Sequence, residues 1–517
     1  MAGSAAARLR RWATTPAAAL VALLLGVYAY FYQAGGWNQN SRFNLVRATV
    51  EDGSLRTTRF AKNTGDDAVR DGQHYCDKAP GASWLCTPTY AVMYWAAGSP
   101  ARPSPRWLAW AAWLSIVIAV SVPSIIAAVF LARLARALGL SPGASVVVAL
   151  GWGLATMGLP YATLLYGNQI AGAFLLIAFT LLVEIRRGAP ATRARMIAVG
   201  ALVGFAGATE YPAALIAMPI GAYGLWVARL RPCLWAVLGG AVPLAALAWY
   251  HAAAFGSPTT FPYNYSVWQE PHTGWFMGVG EPHAFALREI LVGEFRGLLY
   301  TTPWLALAVP GAVALAWRRE HRVEVLVCAW AVIIFLWLNS SIPPWHGGWG
   351  AGPRYLVPML PFAAMLAGGV LAWITAAPPP GPRRGAVRGA QLAGGVILAG
   401  LLVFSAAHMF AATAVKPEID TRYKRPYQQF VWKHFRKGEL SVSTQSIDMR
   451  GNPPGAPRQA WNLGMKAGLD GHASLVPLYV WCAGATAWLL WTLGLLPRSR
   501  RRAGDARGGG GAPPGSR

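Results

Sequence analysis

This sequence predicts an all-α fold embedded in a membrane, and three observations carry that prediction. Hydrophobic residues make up 55% of the 517 and charged residues only 13%, about half the roughly 25% charge of an average soluble domain. So few charges cannot build a water-facing surface, and the length therefore does not translate into a row of soluble domains. Apolar stretches of about 20 residues recur along the chain, long enough to cross a bilayer as helices that satisfy their own backbone groups. The net charge of +25 falls largely in short Arg clusters between those stretches, which is the positive-inside pattern and not the footprint of a nucleic-acid binder. The 25 Trp and the apolar load exclude a disordered chain, and no Gly-X-Y or heptad period supports a collagen or a coiled coil.

The apolar stretches lie near 16–32, 107–132, 144–165, 169–185, 196–210, 212–228, 233–252, 301–317, 323–339, 355–376, 391–415 and 475–496, about twelve transmembrane helices. With the N-terminus in the cytoplasm, the clusters Arg8/Arg10/Arg11, Arg133/Arg136, Arg186/Arg187/Arg193/Arg195, Arg229/Arg231, Arg318/Arg319/Arg322, Arg383/Arg384/Arg388 and Arg498/Arg500/Arg501/Arg502 all fall on one side. The loops 33–106, 253–300, 340–354 and 416–474 then face the other side and hold most of the acidic residues. The expected organisation is a cytoplasmic N-terminus (1–15), a transmembrane core (16–415) carrying external loop 33–106, an external loop (416–474), a last helix (475–496) and a disordered basic cytoplasmic tail (497–517). Arg8–Arg11 before an apolar run also fits a signal peptide; retention of this helix is the expectation.

Of the five cysteines, Cys233, Cys328 and Cys482 lie inside spans and read as small packing residues. Cys76 and Cys86 share the first external loop, where an oxidising compartment would permit a disulfide. No Cys/His spacing of a zinc site is present.

Chemistry is expected in the external loops. The first reads Asn38-Gln39-Asn40-Ser41-Arg42-Phe43, then Thr64-Gly65-Asp66-Asp67, then Asp71-Gly72-Gln73-His74-Tyr75-Cys76-Asp77-Lys78-Ala79-Pro80. Acids that can accept a proton stand beside a cation that can hold a phosphate; the bland alternative is a solvated loop. Trp345–Tyr355 is a Gly-rich turn leading to Arg354 at the mouth of a helix, and Glu294–Tyr300 brings Arg296 to the start of another. Glu210, at a membrane edge, is either a second base or a structural ion-pair partner. His74 and His346 are single loop histidines, more often packing residues than metal ligands. The 416–474 loop carries Tyr423, Lys424, Arg425, Tyr427, Trp432, Lys433 and His434, which either contact substrate or pack on the external cap.

The first helix, the large polar loop with its Ser41-Arg42-Phe43 start, and Tyr75-Cys76-Asp77-Lys78-Ala79-Pro80, which looks like the Tyr-Phe-x-Lys-Pro-Pro element of bacterial members, together resemble the GT-C glycosyltransferases. Those polytopic enzymes take sugar from a polyprenyl-phosphate donor; the aminoarabinose-to-lipid A transferases and protein O-mannosyltransferases are relatives. Arg296-Gly297-Leu298 and Gly352-Pro353-Arg354-Tyr355 look like further elements of a bacterial branch. The resemblance covers most of the chain by topology and a few tens of residues by motif. It implies a helical external cap over the active site, a bacterial inner-membrane location with that site facing the periplasm, and a polyprenyl-phosphate-sugar donor as partner. One departure stands out: where the family usually has Asp-Glu, with the Asp as base, this sequence has Gln39-Asn40. The base role then passes to Asp67, Asp66 or Asp77, with Lys78, Arg42, His74, Tyr75, Arg296, Arg354 and Glu210 as binding residues. Some members use a divalent metal; no acid pair here commits the chain to one, and no cofactor is assigned. Two other readings stay open: an inactive binding or assembly subunit, and a transporter, although the spans carry almost no charge and show no inverted repeat. Sugar, acceptor and oligomeric state are not legible.

Overall fold

The starts of several helices are encoded locally. Thr15-Pro16, Ser104-Pro105 and Ser141-Pro142 each place a hydroxyl at the N-cap and Pro in the first turn, and each hydroxyl accepts a backbone N–H three residues on, from Ala18, Trp107 and Ala144, at 3.3 Å. The hydroxyl satisfies an N–H that has no partner within the helix, and Pro sits where its missing N–H costs nothing. Thr192 caps Arg193–Thr209 in the same way.

The structure, a computed structural model, describes residues 12–267, 278–448 and 457–496. The basic segment 1–11 and the Arg- and Gly-rich end from 497 lie outside the described residues. Each of the twelve apolar stretches contains helix. Eight helices among the described residues are long and apolar enough to cross a membrane: Pro105–Ala137, Gly167–Arg186, Tyr211–Ala228, Leu230–Phe255, Arg319–Ser340, Arg354–Ile374, Arg384–Val415 and Gly471–Thr492. Pro16–Ala29, Pro142–Leu154 and Pro303–Ala316 are shorter apolar helices, and 196–210 belongs to Arg193–Thr209. The protein is thus an all-α membrane protein. Pro105–Ala137 contains a π-turn, Val117–Ser121, just before Pro123, whose ring cannot donate to the helical ladder.

Packing between the spans relies on small residues where backbones meet. A Cβ on Gly200 would lie 1.7 Å from the Ala236 carbonyl oxygen and one on Gly239 would lie 2.1 Å from that of Ile197, so Arg193–Thr209 and Leu230–Phe255 cross in near backbone contact. At the ends rich in Arg, Arg133 pairs with Glu184 at 2.6 Å and Arg186 with Glu324 at 2.5 Å, which ties the segments around 133, 186 and 324 together.

The segments expected to lie outside the membrane depart from a purely helical cap. The strand β1 (Phe31–Tyr32) pairs antiparallel with β4 (Trp461–Asn462), Phe31 opposite Asn462, so the late loop is clamped to the top of the first helix. The strands β2 (Ala68–Arg70) and β3 (Gln73–Tyr75) form a hairpin, with Asp71 and Gly72 both at positive φ in its turn. The predicted loop 33–106 also holds two helices, Trp37–Glu51 and Gly81–Ala96. Cys76 and Cys86 are free thiols, so the bridge that their shared loop would permit is not formed. Cys76 packs with Tyr75, Tyr250 and Phe255, whereas Cys86 is turned into a different cluster with Phe43 and Tyr90.

Candidate active site

The helix Trp37–Glu51 is polar, yet Asn38 through Ala48 are buried. Buried polar groups need partners, and the partners of this helix define the site. Arg42 donates to Glu210 Oε1 at 2.9 Å, Asn38 Oδ1 at 3.2 Å and the Ala79 carbonyl at 3.1 Å. Ser41 donates to Asp77 Oδ1 at 3.1 Å, and Asn40 to the carbonyls of Asn63 and Ser446 at 2.7 and 2.8 Å. Gln39 is held from both ends: its Oε1 accepts from the Leu165 N–H at 3.0 Å, and its Nε2 donates to Glu418 Oε2 at 3.0 Å.

Lys78 lies between two carboxylates, 2.8 Å from Asp77 and 3.1 Å from Asp66. Burial pulls its ammonium towards the neutral form, but Asp66 and Asp77 outweigh that and hold it above the usual lysine range. Burial raises Asp66 as well, and Lys78 and Arg354 overcome it, leaving this carboxyl below its ordinary value. For Asp77, which is 1% exposed, burial wins and its carboxyl is raised. The ammonium occupies the point on which these acids converge, so they do not fit a divalent cation; among the described residues no group of three or more His, Cys, Asp or Glu is arranged to hold one.

The remaining predicted residues separate by role. Asp67 contacts His74 on the β2–β3 hairpin; burial pushes it up to about 6 despite that contact. Tyr75 packs on Phe255 at 5.5 Å. Glu210 is the ion-pair partner of Arg42. Arg296 is buried and donates to the carbonyls of Gly350, Gly348 and Ile419 at 2.7, 3.0 and 3.0 Å, so it braces the Gly-rich turn ahead of Arg354; burial lowers it to about 10. Among the described residues Arg354 makes one hydrogen bond, to the Tyr166 hydroxyl at 3.2 Å, and no ion pair. Its guanidinium has donors left over and lies near enough to Asp66 to depress that acid.

Glu418 was not singled out from the sequence. It follows the long helix Arg384–Val415 in a loop whose pattern marks only aromatic and basic residues. It is 4% exposed, and each oxygen accepts one hydrogen bond, from Tyr166 at 2.8 Å and from Gln39 at 3.0 Å. Gly36 leaves room for it: a Cβ there would stand 2.3 Å from Glu418 Oε2. Elsewhere in the 416–474 loop, Tyr427 bonds the Ala351 carbonyl at 2.8 Å and Trp432 packs on His408, so these two aromatics pack. Beside the cluster, an apolar groove of about 450 Å³ runs between Arg193–Thr209 and Leu230–Phe255, with Trp84 and Phe205 in its lining. Gly81, at the start of the helix that carries Trp84, abuts Thr209, next to Glu210.

No protein-family model matches the chain, and no curated protein matches its sequence. The structure matches that of ArnT from Cupriavidus metallidurans bound to undecaprenyl phosphate, with a TM-score of 0.51 and 20% identity over 93% of this chain and 77% of that one. It also matches the apo state of the same protein (TM-score 0.48, 18% identity, 96% and 78% of the chains). The apo oligosaccharyltransferase of Archaeoglobus fulgidus matches at a TM-score of 0.47 and 12% identity over 84% of this chain and 60% of that one. The match to the undecaprenyl phosphate-bound ArnT structure bears out the expected all-α membrane architecture at the level of the fold.

Proposed function

We propose that the protein is a membrane glycosyltransferase that moves a sugar from a polyprenyl-phosphate-linked donor to an acceptor hydroxyl on the extracytoplasmic side. The observation that carries this reading is the pairing of a buried Lys78, kept charged by Asp66 and Asp77, with Arg354, whose guanidinium has unused donors. Cations fixed in a low-dielectric site stabilise a departing phosphate more than they would in water. The adjoining apolar groove suits an isoprenoid chain, and the fold is shared with a protein whose crystal structure holds undecaprenyl phosphate.

In the proposed reaction the acceptor oxygen attacks the anomeric carbon, the bond from that carbon to the phosphate oxygen breaks, and the lipid phosphate leaves as an anion facing Lys78 and Arg354. The acceptor proton passes to a protein carboxylate, and the anomeric configuration inverts. Arg42 and Glu210 fix the helix Trp37–Glu51, and Arg296 positions the turn that delivers Arg354. The location that goes with this reading is a bacterial inner membrane.

The test is transfer of labelled sugar from a panel of polyprenyl-phosphate sugars by the purified protein. Wild-type protein is expected to transfer from at least one donor, and Lys78→Ala to lose roughly 10³-fold in turnover while still inserting. Near-normal turnover in Lys78→Ala would remove the core of the reading.

A further inference from the structure

Four acids other than Glu418 stand in or near the site, and each already faces a basic side chain. Asp66 and Asp77 share Lys78, Glu210 is bound to Arg42, and Asp67 contacts His74. In each of these acids an oxygen is already taken by a basic side chain, which an incoming O–H would have to displace. Glu418 differs in that both of its hydrogen bonds come from neutral donors, the Gln39 amide and the Tyr166 hydroxyl, and it makes no ion pair among the described residues. Each oxygen accepts one bond where a carboxylate offers about four lone-pair sites in all, so capacity remains for an incoming O–H. Tyr166 also accepts from Arg354, which sets the cation and this carboxylate on opposite sides of one hydroxyl group. That is the separation a displacement needs between the oxygen losing a proton and the oxygen leaving as phosphate.

We infer that Glu418 is the general base of the proposed transfer, and that Gln39, which cannot accept a proton in that role, instead orients it. The inference rests on the transferase reading above. The acceptor O–H bond breaks with its proton moving to a Glu418 oxygen, while its electron pair forms the new bond to the anomeric carbon and the old bond's electron pair leaves with the lipid phosphate. Gly36 is part of the assignment, since any side chain there would occupy the position of the carboxylate. The charged and titratable groups facing Glu418 are Tyr166, Lys416 and Arg354; burial outweighs them and raises its carboxyl.

The test compares wild type, Lys78→Ala, Glu418→Gln and the exchange variant Gln39→Glu/Glu418→Gln, measuring turnover against pH with a panel of polyprenyl-phosphate sugars and, separately, binding of polyprenyl phosphate alone. Glu418→Gln is expected to lose roughly 10²- to 10⁴-fold in kcat and to keep its lipid affinity. The exchange variant, which returns a carboxylate to the other side of the same hydrogen bond, is expected to recover part of the loss and, with it, an acid limb in the pH profile. Near-normal turnover in Glu418→Gln with Lys78→Ala inactive overturns the base assignment and leaves the transferase reading standing. No transfer by wild type from any donor overturns both. Should Glu418→Gln fail to bind polyprenyl phosphate, the exchange variant decides: recovered turnover supports the assignment, and a lipid-binding but inactive exchange variant overturns it.

Discussion

The helix Gly167–Arg186 has a cluster of buried charge at each end, about 30 Å apart at 1.5 Å per residue. At its Arg186 end the opposite charges meet. Glu324, fully buried, accepts from Arg186 at 2.5 Å and from Tyr223 at 2.7 Å, and the guanidinium also lies over the Trp226 ring at 4.6 Å. At its Gly167 end the opposite charges are held apart, with the Tyr166 hydroxyl between Arg354 and Glu418. The pair of Glu324 with Arg186 locks helices together. A cation and a carboxylate kept from meeting cost stability; Gln39 holds Glu418 on one side, and Arg296 braces the turn ahead of Arg354 on the other.

The largest expected effect breaks the closed end. Glu324→Ala leaves Arg186 facing Tyr223 without its carboxylate, and removing one member of a buried pair costs about 3–5 kcal/mol. The thermal midpoint in detergent is expected to fall sharply, while the fraction that stays folded turns over normally. An unchanged midpoint would mean that this end is not a lock.

At the open end the expectation reverses. Gly36→Ala drives a methyl group to within 2.3 Å of the present position of Glu418 Oε2, so the carboxylate must move. Misplacing a reacting group by about 1 Å costs roughly 10²-fold in rate. Turnover is expected to drop on that scale with little change in the thermal midpoint, and steady-state kinetics beside a melting curve separates the two effects.

The smallest effect concerns Asp67, whose carboxyl stands at about 6 in the folded protein against an ordinary 3.8. A raised acid contributes stability that is present below the unfolded value and lost as pH climbs through the folded one. Relative to wild type, Asp67→Asn is therefore expected to gain about 1 kcal/mol between pH 5 and pH 7, seen as thermal midpoints that converge or cross over that window. Parallel curves for the two proteins would show that His74 compensates the burial of Asp67 in full.

Much of the architecture could be read along the chain because the bilayer imposes a one-dimensional rule. A segment that must satisfy its own backbone in hydrocarbon has to be helical, apolar and about 20 residues long, and the Arg clusters mark where such segments end. The same rule accounts for what was missed. Gly81–Ala96 is apolar enough to notice but has 16 residues with Pro88 inside, and the short strands β1 and β4 join residues more than 400 apart in the chain.

The site divides in the same way. Asp77 and Lys78 are neighbours in sequence, and the polar loop around them announced itself by composition, so Lys78 and its acids were legible. Glu418 was not, because its significance depends on Gln39, Tyr166 and Gly36, none of them near it in the chain. The sequence by itself determined the apolar helices and the neighbouring Asp77 and Lys78 in a polar loop, since each follows from short-range composition under the constraint of the bilayer. Only the tertiary structure decided which carboxylates are neutralised by cations and which one is left facing neutral donors, because ion pairing depends on distances that chain order does not set.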